Sequence, residues 1–345
     1  MSFEIVKPGV NFNFVGNRYT AFTVSGLLIL ASVISIIWNQ GLNLGVDFRG
    51  GLNIQVLIND PDIQADQLRV LMAGGGLEVS SIQNFGENNN EFLLNFQTEE
   101  GLDISNRAAE LLTASLGDKA EIRQEEMVGP KVGGDLRQKA LYAIYYSILM
   151  IIIYISGRFE QKWGTSALFM AILIGVVYLL SLFGVGVGTL IIIAVIVTLI
   201  TCYAMHFSYA LGSILALIHD VVITTGVFSI LNKEITLSFV AAILTIIGYS
   251  LNDSIIVFDR IRENLRKPRN KGDLPATINK SINETLSRTV LTSGTTILAL
   301  ISLYFLGGPV NRDFALALLV GMTVGTFSSI FVASPILLLW EKKKA

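Results

Sequence analysis

Long stretches with almost no charge dominate this chain. Between Trp163 and Ile218 there is no Asp, Glu, Lys or Arg. Of the 345 residues, 52% are hydrophobic and 15% are charged, whereas soluble domains carry roughly a quarter charged residues. An apolar stretch of about 20 residues crosses a bilayer as a helix. The sequence therefore predicts a polytopic α-helical membrane protein, with eight candidate spans at residues 19–38, 139–157, 165–184, 187–206, 209–231, 236–258, 285–306 and 314–340.

Positive charges predict how the spans are oriented. An even number of spans puts both termini on one side, and Lys and Arg concentrate in cytoplasmic segments. One set of connections carries fourteen Lys and Arg residues, while the short turns on the other side carry only Lys233 and Arg312. We therefore expect residues 1–18 and the tail 341–345 to be cytoplasmic. The fourteen are Lys7, Arg18, Arg158, Lys162, Arg260, Arg262, Arg266, Lys267, Arg269, Lys271, Lys280, Lys342, Lys343 and Lys344.

The segment 39–137 is polar and differs in kind from the rest. Its hydrophobic periodicity alternates between that of strands and that of helices. The order strand, helix, strand, strand, helix, strand is the ferredoxin-like arrangement. We expect a small α+β domain on the outer side of the membrane. The predicted elements are Leu52–Ile58, Ile63–Met72, Leu77–Gln83, Phe92–Phe96, Ile104–Leu116 and Ala120–Met127.

Ionisable residues inside the apolar spans are the strongest functional signal. Asp253, Asp220 and Arg288 lie in three consecutive spans. A charged group at membrane depth costs several kcal/mol unless it is paired, protonated or hydrated, so such residues usually mark an ion path. A metal site is not indicated, because the chain has one cysteine and two histidines. No cofactor is expected either.

Five segments carry a resemblance to a known family. They are Gly45–Gly51, Val128–Gly133, Ala216–Val221, Gly248–Glu263 and Asn283–Thr296. Together, in this order, they resemble SecF, a subunit of the bacterial SecDF protein-translocation complex in the RND superfamily. The resemblance implies an RND-type helix bundle in the inner membrane and a periplasmic outer domain. It also implies use of the proton-motive force with SecD to move preproteins through the SecYEG channel during SecA-driven export. YajC or YidC would be further partners.

One stretch departs from the family pattern. In SecF proteins, the sequence that corresponds to Arg158-Phe159-Glu160 is followed almost at once by the span with the His-Asp pair. Here about 45 residues intervene. We interpret residues 161–207 as an extra membrane hairpin within the bundle 138–340. Its role is not part of the resemblance.

The resemblance implicates Asp253, Arg288 and Thr292 in proton conduction. A low-dielectric site disfavours the charged form of a carboxyl, whereas a nearby arginine favours it. We expect Arg288 to be the partner of Asp253 and Thr292 to lie one turn further along the same helix face. The alternative is a static buried ion pair that fixes helix packing.

His219 and Asp220 form a second candidate station of the relay. Histidine titrates close to neutral pH, so the pair could pass protons. Alternatively, His219 only donates a hydrogen bond between helices, as polar residues in membranes often do. Neighbouring residues on a helix point about 100° apart, so the two side chains cannot face one partner equally well.

Two glycine-rich segments are predicted to connect the outer domain to the membrane. Gly50 and Gly51 are interpreted as a turn into the first outer strand, since this segment lacks the lysine of a phosphate loop. Asp47 before them is expected to cap a helix or to contact another subunit. Gly129, Pro130 and Gly133 are expected to form a hinge or a simple turn.

Two other functions remain open from the sequence. An RND-type exporter of lipids or small molecules would use the same intramembrane charges, although the outer domain is small for such a pump. A structural scaffold of the translocon would need no proton flux. Covalent catalysis is not expected, because no nucleophile–base pair is recognisable. Nucleic-acid binding is not expected, because Asp259 and Glu263 interrupt the basic run at 260–267.

Overall fold

Eight apolar helices and one small sheet make up the part of the chain that the structure describes. The computed structural model describes residues 10–60, 63–85, 90–96, 101–267 and 273–338. Within these ranges, eight helices are long and apolar enough to cross a membrane. The predicted fold class is confirmed. The candidate tail 341–345 and several basic residues of the orientation argument, including Lys7 and Arg269, lie outside the described residues.

The helices are numbered α1 to α12 along the chain. A one-turn helix, α2 (Val46–Arg49), precedes the sheet, and a π-helical segment, Ser329–Ala333, separates α11 from the short α12 (Ser334–Ile336). The membrane-length helices are α1 (Arg18–Trp38), α5 (Pro130–Glu160), α6 (Trp163–Leu182), α7 (Val187–Ala204), α8 (Ser208–Ile230), α9 (Leu237–Arg266), α10 (Leu274–Leu306) and α11 (Pro309–Ser328).

The outer domain has the predicted order of elements. Its strands β1 to β4 form an antiparallel sheet in the order β2-β3-β1-β4, which is ferredoxin-like. Buried cross-strand pairs on β1 and β3, such as Ile54 opposite Leu94, face a core shared with α3 and α4. The elements are β1 (Gly51–Ile58), α3 (Ala65–Gly74), β2 (Ser81–Phe85), β3 (Glu91–Phe96), α4 (Gly101–Leu116) and β4 (Ala120–Val128).

Two element boundaries differ from the sequence-based prediction. Strand β2 begins at Ser81 and not at Leu77, because Leu77 and Val79 fill the core before ladder pairing begins at Ser80. Helix α5 begins at Pro130, well before the apolar stretch at 139. Proline is favoured in the first turn of a helix, where its missing N–H costs no hydrogen bond.

The hairpin α6–α7 packs against α5, and its two ends lie close together. The Glu160 Oε1 at the end of α5 accepts a hydrogen bond from the Tyr209 amide near the start of α8, at 3.1 Å. Phe159 stacks on the Tyr209 ring with 5.1 Å between centroids. Lys162 Nζ donates to the Met205 carbonyl at 3.1 Å. The bundle is therefore closed at the base of the hairpin by direct contacts between α5 and α8.

Candidate functional site: two intramembrane carboxyls with hydroxyl partners

Asp253 lies midway along α9 and is 1% exposed. Its Oδ2 accepts a hydrogen bond from Ser293 Oγ on α10 at 3.1 Å. Its Oδ1 is buried and, among the described residues, has no hydrogen-bond partner. An ionised carboxylate with an unsatisfied buried oxygen is unfavourable at membrane depth. The site therefore favours a protonated carboxyl, or a water molecule on Oδ1.

A second hydroxyl extends the contact of Asp253 to α11. The Thr326 Oγ1 lies 2.8 Å from Ser293 Oγ and donates to it. Ser293 is 3% exposed, so this contact is shielded from solvent. Three helices thus meet at one chain of polar atoms that runs from Thr326 through Ser293 to Asp253.

Asp220 on α8 is fully buried and is surrounded by donors. Its Oδ1 lies 2.9 Å from His219 Nδ1. Its Oδ2 accepts from Ser250 Oγ at 2.6 Å and from Ser328 Oγ at 2.8 Å. Three donors satisfy a carboxylate well, and hydrogen bonds to a charged group are among the stronger ones in proteins.

His219 connects this second carboxyl to the first helix. Its Nε2 lies 3.0 Å from Ser25 Oγ on α1, and its ring stacks near Phe327 at 6.2 Å between centroids. The imidazole is 3% exposed. The two side chains have different partners on other helices, as expected. They also bond to each other, because the imidazole turns back towards the carboxylate of the next residue.

Helices α9 and α11 each contribute to the hydrogen-bonded groups around both carboxyls. On α9, Ser250 donates to Asp220. Asp253, the other carboxyl, lies three residues further along α9 and so on the same helix face. On α11, Thr326 belongs to the Asp253 chain and Ser328 bonds to Asp220. A Cβ at Gly325 would lie 3.0 Å from Ser250 Cβ, so the glycine permits this close packing.

The sequence and structure of the chain are similar to those of known protein-export proteins. The family described as "SecD/SecF GG Motif" matches residues 35–61, and "Protein export membrane protein SecD/SecF, C-terminal" matches residues 108–202 and 186–343. "Protein translocase subunit SecF" of Desulfurispirillum indicum is 38% identical over 336 residues, which are 96% of this chain and 92% of that protein. The corresponding Escherichia coli O157:H7 protein is 34% identical over 331 residues, 95% and 87% of the two chains. The chain belongs to the SecF family.

Among solved structures, SecDF from Thermus thermophilus is similar throughout the SecF-family chain. The match has a TM-score of 0.76 and 32% sequence identity, and it covers 97% of this chain. It covers 39% of the Thermus chain, so this chain spans about two-fifths of the length of that protein. The two C-terminal family matches overlap at residues 186–202, within α7 of the hairpin.

Arg288 does not pair with Asp253 in this SecF-family chain. Among the described residues, Arg288 forms no ion pair within 4 Å, and its side chain is exposed on α10. It is near enough to interact with Asp253 electrostatically. The expected direct contact is wrong because Ser293, and not Arg288, faces α9. Five residues separate them, so their side chains point about 140° apart.

Thr292 lies one turn after Arg288 on the same face of α10, as expected. Its hydroxyl donates to the carbonyl oxygens of Arg288 and Thr289 on its own helix, at 3.0 and 3.1 Å. It is half-buried, and the neighbouring Ser293 takes the position next to Asp253. The conduction roles of Arg288 and Thr292 remain predictions.

The glycine-rich connections pack tightly against each other. Gly50 and Gly51 have φ of 79° and 132°, values that favour glycine. A Cβ at Gly50 would lie 2.6 Å from Pro130 Cα, and one at Gly133 would lie 2.9 Å from the Gly50 nitrogen. Gly129 is the N-cap of α5. The segment Val128–Gly133 is therefore not a free linker, and any hinge action must separate packed backbones.

The polar residues of the site were only partly recognisable from the sequence. Four hydroxyl residues that complete it were not singled out: Ser25, Ser250, Thr326 and Ser328. Serine and threonine are common in membrane helices for packing, so a single hydroxyl carries little signal. The spacing of Ser250 three residues before Asp253 was the one available indication.

Proposed function

We propose that this chain is a proton-driven SecF-type subunit that acts with SecD to promote preprotein translocation through SecYEG across the inner membrane. In this proposal Asp253 binds and releases the proton. The observation that carries it is the Asp253 carboxyl, buried at mid-helix with one oxygen unpartnered among the described residues. Each proton that crosses about 100 mV yields roughly 2.3 kcal/mol, enough to bias a conformational step.

Polar side chains that are exposed within the membrane are evidence for a partner subunit that covers them. Arg288, Thr295 and Asn252 are exposed on α9 and α10, where lipid contact would be costly for the arginine. A partner bundle would cover this surface and bring a group to Arg288. The Thermus relative is described as SecDF and is longer than this chain, which fits SecD as that partner.

The orientation in the membrane follows from the sorted charges. Both termini would be cytoplasmic and the domain 39–137 periplasmic, where it would contact an emerging preprotein. The packed junction at Gly50, Pro130 and Gly133 would transmit movement of α5 to this domain. YajC or YidC would be additional partners in this scheme.

The proposal is tested with the full chain and SecD reconstituted in vesicles that carry a proton gradient. Asp253→Asn is expected to remove the proton-driven component of preprotein transport and the associated proton flux. Asp259→Asn is the matched control, because Asp259 lies on the same helix but is partly exposed and pairs with Arg158. If Asp253→Asn assembles with SecD and transports at the normal proton-dependent rate, the motor function is wrong and a scaffold role is favoured.

A further inference from the structure

Two hydroxyls on α11 each lie within hydrogen-bond distance of two acceptors. Thr326 Oγ1 lies 2.8 Å from Ser293 Oγ and 2.8 Å from the Met322 carbonyl oxygen. Ser328 Oγ lies 2.8 Å from Asp220 Oδ2 and 3.1 Å from the Gly325 carbonyl oxygen. A hydroxyl has one hydrogen, so each residue serves one acceptor at a time.

A proton on the Oδ2 of Asp253 changes which acceptor Thr326 bonds to. An ionised carboxylate only accepts hydrogen bonds, so Ser293 must donate to it and then accepts from Thr326. When the carboxyl carries a proton on Oδ2, it donates to Ser293 Oγ. The Ser293 hydrogen then turns to Thr326 Oγ1, and the Thr326 hydrogen turns to the Met322 carbonyl. No covalent bond other than that of the bound proton changes.

Asp220 presents the same alternative to Ser328. The ionised carboxylate accepts from Ser328, whereas a protonated carboxyl leaves that hydrogen free to bond to the Gly325 carbonyl. Hydrogen bonds from serine or threonine to their own helix backbone alter helix geometry. The π-helical segment begins at Ser329, directly after Ser328, and π-helical turns are frequent at functional sites.

We propose that Thr326 and Ser328 are positioning residues through which α11 responds to the protonation of both intramembrane carboxyls. The inference rests on the proposed function, since it requires Asp253 to titrate. Within the spans, the described helices packed against α11 carry few titratable or charged side chains. They are Tyr209, His219 and Asp220 on α8, Tyr249 and Asp253 on α9, and Arg288 and Tyr304 on α10. On α11 itself, Arg312 and Asp313 lie at its start, away from Thr326.

The test uses the full chain reconstituted with SecD. It follows the infrared band of the protonated Asp253 carboxyl as a function of pH, and this band is assigned by its loss in Asp253→Asn. Thr326→Val keeps the shape of the side chain but lacks the hydroxyl. Because a hydrogen bond that supports a charge is worth more than a neutral one, the half-point of the band should move to higher pH by roughly half a unit or more. The pH profile of proton flux should move with it. Thr326→Ser should restore both.

Thr323→Val is the matched control. Thr323 lies one turn earlier on α11 and is exposed. Within the described part of the chain, its hydroxyl donates only to the Leu319 carbonyl, at 2.7 Å. An unchanged half-point in Thr326→Val, or an equal change in Thr323→Val, overturns the inference and leaves the proposed function intact. A carboxyl that stays in one ionisation state at every pH overturns both.

Discussion

Replacing Asp220 tests whether its three hydrogen bonds hold the bundle together. Asp220→Ala would leave His219 Nδ1, Ser250 and Ser328 without their shared acceptor. Hydrogen bonds between membrane helices contribute on average about 0.6 kcal/mol each and at most about 1.7 kcal/mol. Two of the three bonds, from Ser250 on α9 and Ser328 on α11, join helices and contribute on this scale. The bond from His219 lies within α8 and adds about 0.5 to 1.5 kcal/mol. The three together correspond to about 2 to 5 kcal/mol of unfolding free energy.

We expect the loss of unfolding free energy to fall in the lower half of that range, because one of the three donors has another acceptor within reach. Ser328 can turn to the Gly325 carbonyl, whereas the His219 Nδ1 has no second contact of this kind in the described chain. Asp220→Asn should cost less, about 1 kcal/mol. Its amide oxygen can still accept from both serines, and its amide nitrogen can face the imidazole in the other tautomer.

The assay is reversible unfolding of the full chain in mixed micelles of lipid and denaturing detergent. Asp259→Ala is the control, and it should change the unfolding free energy by less than about 1 kcal/mol because its ion pair with Arg158 is partly exposed. Equal losses for Asp220→Ala and Asp220→Asn would refute the hydrogen-bond argument. So would an Asp220→Ala variant as stable as the control.

Two further predictions concern the junction with the outer domain. Gly133→Ala should raise amide hydrogen exchange in α2, because its Cβ would lie 2.9 Å from the Gly50 nitrogen; Gly134→Ala, whose Cβ meets open space, should not. Asp47→Ala should raise exchange at the start of α9, because the Asp47 Oδ2 accepts from the Leu237 amide at 2.7 Å. A loss of about 1 to 2 kcal/mol of local stability at the start of α9 corresponds to roughly 5- to 30-fold faster exchange. An unchanged exchange rate would contradict the capping role of Asp47.

The number of spans and the fold of the outer domain were predictable because both depend on local patterns. Span length follows from bilayer thickness, and the 2.0 and 3.6 periodicities of strands and helices are visible along the chain. Boundaries were less predictable. The start of α5 at Pro130 depends on contacts with α2 that lie far away in the sequence.

The sequence alone determined that carboxyls lie at membrane depth, because apolar neighbours on both sides leave Asp220 and Asp253 no route to the surface along their own helices. Only the tertiary structure decided their partners. Which side chain on α10 meets Asp253 depends on the rotation of that helix about its axis, and a rotation of about 140° separates Arg288 from Ser293. That rotation is set by the packing of α9, α10 and α11 together, which no single span encodes.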